Sequence, residues 1–152
     1  MKITYETPPR RIALSDIREG EFISQSVRFK QEDLDNFGKT SGDVASIHFD
    51  SVFGRTKGFD GVVVHGLLVT SKFSRLLGMY LPGENSIVQS INFNFKNPIY
   101  LHNTLLYEVS VNRIIPTVNA VLLDLKVSVE GTIFVQGKAQ CVCIADRAIE
   151  TE

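Results

Sequence analysis

The chain is short of most features that would assign a function at sight. It carries 16 basic and 17 acidic residues in 152, a formal net charge of −1, so no overall field draws it to nucleic acid or to an anionic membrane. Arg10-Arg11 alone is too short to supply a local basic patch. No apolar run reaches the roughly 18 residues of a membrane span, and Met1-Lys2-Ile3-Thr4-Tyr5-Glu6 lacks the apolar centre of a secretion signal. A cytoplasmic location without a membrane span is therefore expected. Cysteine is scarce too: Cys141 and Cys143 are the only two. At alternate positions of a strand they share a face but are poorly placed to bridge each other, and no histidine nearby completes a metal site. They are expected to be small buried apolar residues in a reducing compartment.

What is present suits a soluble domain with a real core: 43% hydrophobic and 22% charged residues. Residues 1–152 are expected to form a single domain. Residues 1–20 show no clear periodicity and contain Pro8-Pro9, which suits a surface extension without regular structure.

Periodicity then organises the chain. Residues 21–29 are β-rich, with Ile23, Val27 and Phe29 on one side and Ser24, Ser26 and Arg28 on the other. Leu34 and Phe37, among acidic residues, predict a short helix ending at Gly38, and residues 50–57 predict another before Gly58. From residue 66 to 81, apolar side chains at 69, 73, 76, 77 and 80 follow a helical spacing that Pro82-Gly83 ends. After it the period changes to two. Four segments alternate: Ile87, Ile91, Phe93 and Phe95; Leu105, Tyr107, Val109 and Val111; Val121, Leu123, Leu125, Val127 and Val129; Ile133, Val135, Ala139, Cys141 and Cys143. Short connections between long strands predict an antiparallel sheet with one apolar face. One long helix and such a sheet combine economically when the sheet, joined by the upstream strand to make about five, curls round the helix. This is an α+β hot dog arrangement. Its open edge would be hidden by pairing with a second copy, so a homodimer is expected.

The polar residues worth attention lie between the first helix and the long one. Asp43 and His48 stand five residues apart in a loop rich in Gly, Ser and Asp, and Gly66 opens the long helix just after His65. A carboxylate, an imidazole and a helix N-terminus are the parts of an acid–base site beside an anion-binding position.

The strings Ser41-Gly42-Asp43-Val44-Ala45-Ser46-Ile47-His48-Phe49-Asp50, Val64-His65-Gly66-Leu67-Leu68, Leu76-Leu77-Gly78-Met79-Tyr80-Leu81-Pro82-Gly83 and Phe93-Asn94-Phe95-Lys96-Asn97-Pro98-Ile99 occur in that order. Together they resemble the MaoC-like dehydratases, which include the (R)-specific enoyl-CoA hydratases, over roughly residues 20–145. The resemblance implies addition of water to a trans-2-enoyl thioester to give an (R)-3-hydroxyacyl thioester, or the reverse, with no metal and no redox cofactor. Coenzyme A or an acyl carrier protein enters only as part of the substrate. Asp43 would accept the water's proton as oxygen attacks C3, and His48 would orient the water and supply the proton at C2. Charge developing on the thioester oxygen calls for a fixed donor, and Gly66 offers a free backbone N–H with no side chain in the way.

His65 is expected to be structural or pocket-lining, Ser74 to lie near the substrate one helical face along, and His102 to be a turn residue. Phe53, Phe59, Leu68 and Tyr80 are expected to set pocket depth. Where the family usually has Asp-x-Asn-Pro-x-His, this chain has Ala45 and Ser46 in the middle, which implies a freer loop. Two other readings stand beside the hydratase: a catalytically weak acyl-thioester-binding or assembly subunit, and a hot dog thioesterase.

Overall fold

The computed structural model describes residues 1–144; the end of the expected domain, residues 145–152, lies outside the described residues. Five strands, β1 (Phe22–Val27), β2 (Ser86–Phe95), β3 (Leu105–Ile115), β4 (Ala120–Val129) and β5 (Thr132–Cys143), form one sheet in the order β1-β3-β4-β5-β2. All its strand pairs are antiparallel. Helix α1 (Gln31–Ser41) and the short α2 (Ser51–Thr56) precede α3 (Gly66–Met79), the helix that the sheet wraps. This is the hot dog fold.

The period-two residues of β3 and β4 fill the core. Leu105, Tyr107, Val109, Val111, Val121, Leu123, Leu125 and Val127 are all buried. From α3, Val69, Phe73, Leu76 and Leu77 meet them, each large aliphatic or aromatic side chain contributing roughly 2 kcal/mol by burial. Phe73 stacks on Phe93 at 5.4 Å and meets Tyr107 edge-on at 5.3 Å. The Tyr107 hydroxyl, whose deprotonation burial opposes, donates to the Val69 carbonyl at 2.9 Å and so pins helix to sheet.

Three expectations change. Helix α1 does not stop at Gly38, which is buried against the Phe49 ring; it continues to Ser41 and ends at Gly42, whose φ of 77° closes the helix in the left-handed region. The apolar set of β2 does not face the core throughout: Ile87, Ile91 and Phe95 are more than 40% exposed, because β2 is the sheet's edge and Ile91 and Phe95 border an open cavity between it and α3. The extension 1–20 is tied down. Ile3 and Ile17 enter the core, the Tyr80 hydroxyl donates to the Thr7 carbonyl at 2.9 Å, and Arg10 bonds Glu21 at 2.8 Å. Isolated anchors such as these have no period to betray them.

Candidate active site

Local chemistry explains the loop that follows α1. The Ser41 hydroxyl accepts from the Asp43 N–H at 3.1 Å, and Asp43 Oδ1 accepts from the Ala45 N–H at 3.2 Å. This Asx-type turn delivers the chain into a single 3₁₀ turn, Ser46–His48, in which the His48 N–H bonds the Ala45 carbonyl at 2.9 Å. Asp50 then caps α2 by accepting from the Val52 and Phe53 N–H groups at 2.8 and 3.1 Å. The loop is thus closed by hydrogen bonds, and is not the freer loop expected from Ala45 and Ser46.

The other half of the site is held by the segment that follows β2 and by the loop itself. Val64 N–H donates to the Ile99 carbonyl at 2.8 Å, and Val63 N–H to the Ile47 carbonyl at 3.0 Å. The Val63–Val64 segment therefore bridges the loop and the Pro98-Ile99 turn, and sets where α3 begins.

These restraints bring Asp43, His48 and His65 together. Asp43 Oδ2 lies 3.8 Å from His48 Nε2, with Asp43 half exposed and His48 mostly covered. His48 Nδ1 is 2.7 Å from the Val63 carbonyl oxygen. A carbonyl only accepts, so the neutral ring carries its proton on Nδ1 and turns the Nε2 lone pair toward Asp43. His65 is buried, and its ring stacks on His48 at 3.8 Å and 24°. Its Nε2–H donates to the Asp43 carbonyl at 3.0 Å.

Gly66 occupies the first position of α3, where a backbone N–H has no partner within the helix. It lines a cavity of about 340 Å³ together with His48, Phe59, Val63, Phe95 and Lys96. Ser74 lies on a second cavity, of about 570 Å³, with Leu67, Leu77, Ile91 and Phe95. Of the four residues expected to set pocket depth, Phe59 lines the first cavity, while Leu68 and Tyr80 belong to the core and Phe53 is exposed. His102 lies in the turn after Ile99, stacked on Tyr100 at 5.5 Å.

Phe95 is the residue that sequence reasoning missed. It touches both cavities, and its ring covers Gly66, where an added Cβ would come within 2.9 Å of it. Period two sent it to the core; its place at the end of an edge strand is what frees it.

Potential ligand atoms of Asp43, His48 and His65 lie within 4.8 Å of one another. The two imidazoles, however, present their faces to each other, and one nitrogen of each is engaged by a backbone carbonyl. A metal is bound in the plane of an imidazole, so this geometry suits proton transfer better than chelation.

A hot dog domain with an Asp–His pair at the start of its central helix is thereby defined. Residues 12–131 match the MaoC like domain, and the chain belongs to that family. It is similar to the (R)-specific enoyl-CoA hydratase of Aeromonas caviae, 33% identical over 100 residues, which are 66% of this chain and 75% of that protein. It is also similar to a mitochondrial 3-hydroxyacyl-[acyl-carrier-protein] dehydratase of Arabidopsis thaliana, 31% identical over 59% of this chain and 53% of that protein. Among solved structures, an (R)-hydratase from A. caviae involved in PHA biosynthesis superposes with a TM-score of 0.81 at 29% identity, covering 84% of this chain and 98% of that one.

Proposed function

We propose that this protein is a hydratase/dehydratase of acyl thioesters, adding water to a trans-2-enoyl-CoA or enoyl-acyl carrier protein to give the (R)-3-hydroxyacyl thioester, or catalysing the reverse. The observation that carries this reading is the 3.8 Å separation of Asp43 Oδ2 and His48 Nε2. One water oxygen fits within hydrogen-bond distance of both. The relatives' names give the substrate class.

The His48–Val63 bond refines the proton route. Neutral His48 has no proton on Nε2 to give, so it acts first as a base. As the water oxygen bonds C3, one O–H bond breaks and its proton passes to Nε2, while the remaining hydrogen of the new hydroxyl is held by Asp43. The C2=C3 electron pair moves toward the thioester oxygen, which the Gly66 N–H stabilises by about 3–4 kcal/mol. The imidazolium then returns its proton to C2. Water's hydrogens are both accounted for, and no metal or redox group takes part.

Purified protein mixed with crotonyl-CoA is expected to bleach the enoyl absorbance without releasing thiol. Thiol release would identify a thioesterase. Binding of short, medium and branched enoyl thioesters without turnover would leave an acyl-binding subunit.

Location and assembly complete the proposal. No helix among the described residues is long and apolar enough to cross a membrane, and the proposed place of action is the cytoplasm. A homodimer is supported by β2, which has β5 as its partner on one side and carries exposed Ile87, Val88, Ile91 and Phe95. Pairing with a second β2 would satisfy its ladder and cover these side chains. Sedimentation should give twice the 17.0 kDa chain mass; a monomer at micromolar concentration would overturn this part.

A further inference from the structure

We infer that His65 is a positioning residue, which fixes the acid–base pair relative to the start of α3. The inference rests on the acid–base reading above for its kinetic consequence, and on geometry alone for the rest. One residue touches both members of the pair and opens α3. Its Nε2–H holds the loop through the Asp43 carbonyl at 3.0 Å. Its ring face backs the His48 ring at 3.8 Å. Its own backbone precedes Gly66 and N-caps α3. Phe37 at 5.0 Å and Phe49 at 5.6 Å set the ring's orientation from its other sides.

Position, rather than packing, accounts for a histidine here. His65 is buried, with 2% exposure, and its Nδ1 has no hydrogen-bond partner. In the neutral ring with the proton on Nε2, this is an unpaired acceptor, a burden that a phenylalanine of similar shape would not bring. What phenylalanine could not do is donate to Asp43. Ala45 and Ser46, between Asp43 and His48, bring no side-chain anchor of their own among the bonds that close the loop, and the His65 bond supplies one from outside it.

Two variants separate the donor from the ring. His65→Phe keeps the aromatic packing and loses the donor; His65→Gln keeps a donor at similar reach and loses the ring. Amide hydrogen exchange, read without substrate, follows the His48 and Val63 N–H groups, which close the loop. In His65→Phe these two are expected to exchange at least about tenfold faster while core amides of β3 and β4 do not change. With crotonyl-CoA, kcat should fall by up to about 100-fold with KM within about twofold, and His65→Gln should recover part of both effects. Unchanged exchange at His48 and Val63 in His65→Phe would overturn the inference, as would uniform acceleration through the sheet, or a Gln variant no better than Phe. A wild type silent on crotonyl-CoA would refute the hydratase reading, while the exchange comparison would still decide the role of His65.

Discussion

Nδ1 of His48 lies 2.7 Å from the carbonyl oxygen of Val63. This bond joins the two halves of the site and dictates which ring nitrogen meets the substrate. With Nε2 as the lone-pair end, both it and Asp43 Oδ2 can accept from one water. His48→Gln and Asp43→Asn should therefore each lower kcat by roughly 10²–10⁴-fold, measured as enoyl absorbance loss with crotonyl-CoA. Turnover near the wild-type rate in either variant would remove that residue from the mechanism.

The loop between the pair makes a second test. Ala45 adopts φ −57° and ψ 137°, the extended conformation that a following proline enforces. Ser46 begins a 3₁₀ turn, where φ near −60° matches a proline ring. Ser46→Pro should fit without strain and raise stability by about 0.4–1 kcal/mol through the unfolded chain. Thermal and urea unfolding measure this; a lower melting temperature would mean that the Ser46 N–H or its backbone angle matters in a way not captured by the turn.

How much of this could be read from the sequence follows from where each signal resides. Period two in Leu105–Val111 and Val121–Val127 gave the sheet, and the spacing of Val69, Phe73, Leu76 and Leu77 gave the helix inside it, because burial on one face leaves a repeat. Asp43, His48 and Gly66 stood out because their residue types and order suggest chemistry, and the structure brings Asp43 Oδ2 to 3.8 Å from His48 Nε2. Residues whose role depends on neighbours distant in sequence left no such trace. The Val63 carbonyl is backbone, and every residue has one. Phe95 alternates like a core residue, and only its place on an edge strand exposes it. Gly38 looks like a helix stop, but its lack of a side chain serves the Phe49 ring.

Phe95 and Gly66 give a third prediction. An added Cβ at Gly66 would lie 2.9 Å from Phe95 Cε1 and 3.2 Å from Cζ. The ring is half exposed and yields only in part, so Gly66→Ala should cost about 1–3 kcal/mol of stability. The methyl group would still stand beside the proposed donor N–H and lower turnover. Adding Phe95→Ala should restore the lost stability, with a coupling energy of about 0.5–3 kcal/mol in a double-mutant cycle. Additive effects on unfolding would show that the ring does not rest on Gly66 in solution.

The cysteines allow a prediction with a defined sign. Burial first, and the neighbouring Cys143 second, push the Cys141 thiol from its ordinary 9.0 up to about 12. Burial also raises Cys143, which is less covered. Only the thiolate attacks a disulfide reagent, so at pH 8 Cys143 should react slowly and Cys141 only as the protein unfolds. The same shift couples stability to pH. Above pH 9 an unfolded Cys141 loses its proton while the folded one keeps it, so the folded state binds more protons and stability falls as pH rises. Between pH 8 and 10 the unfolding free energy of the wild type, measured by urea titration, should decline by up to about 1.4 kcal/mol per pH unit for one such group. Cys141→Val, which fills the same buried position without a titrating group, should flatten part of that slope. An unchanged slope in Cys141→Val would show that the thiol does not titrate differently in the folded and unfolded chains.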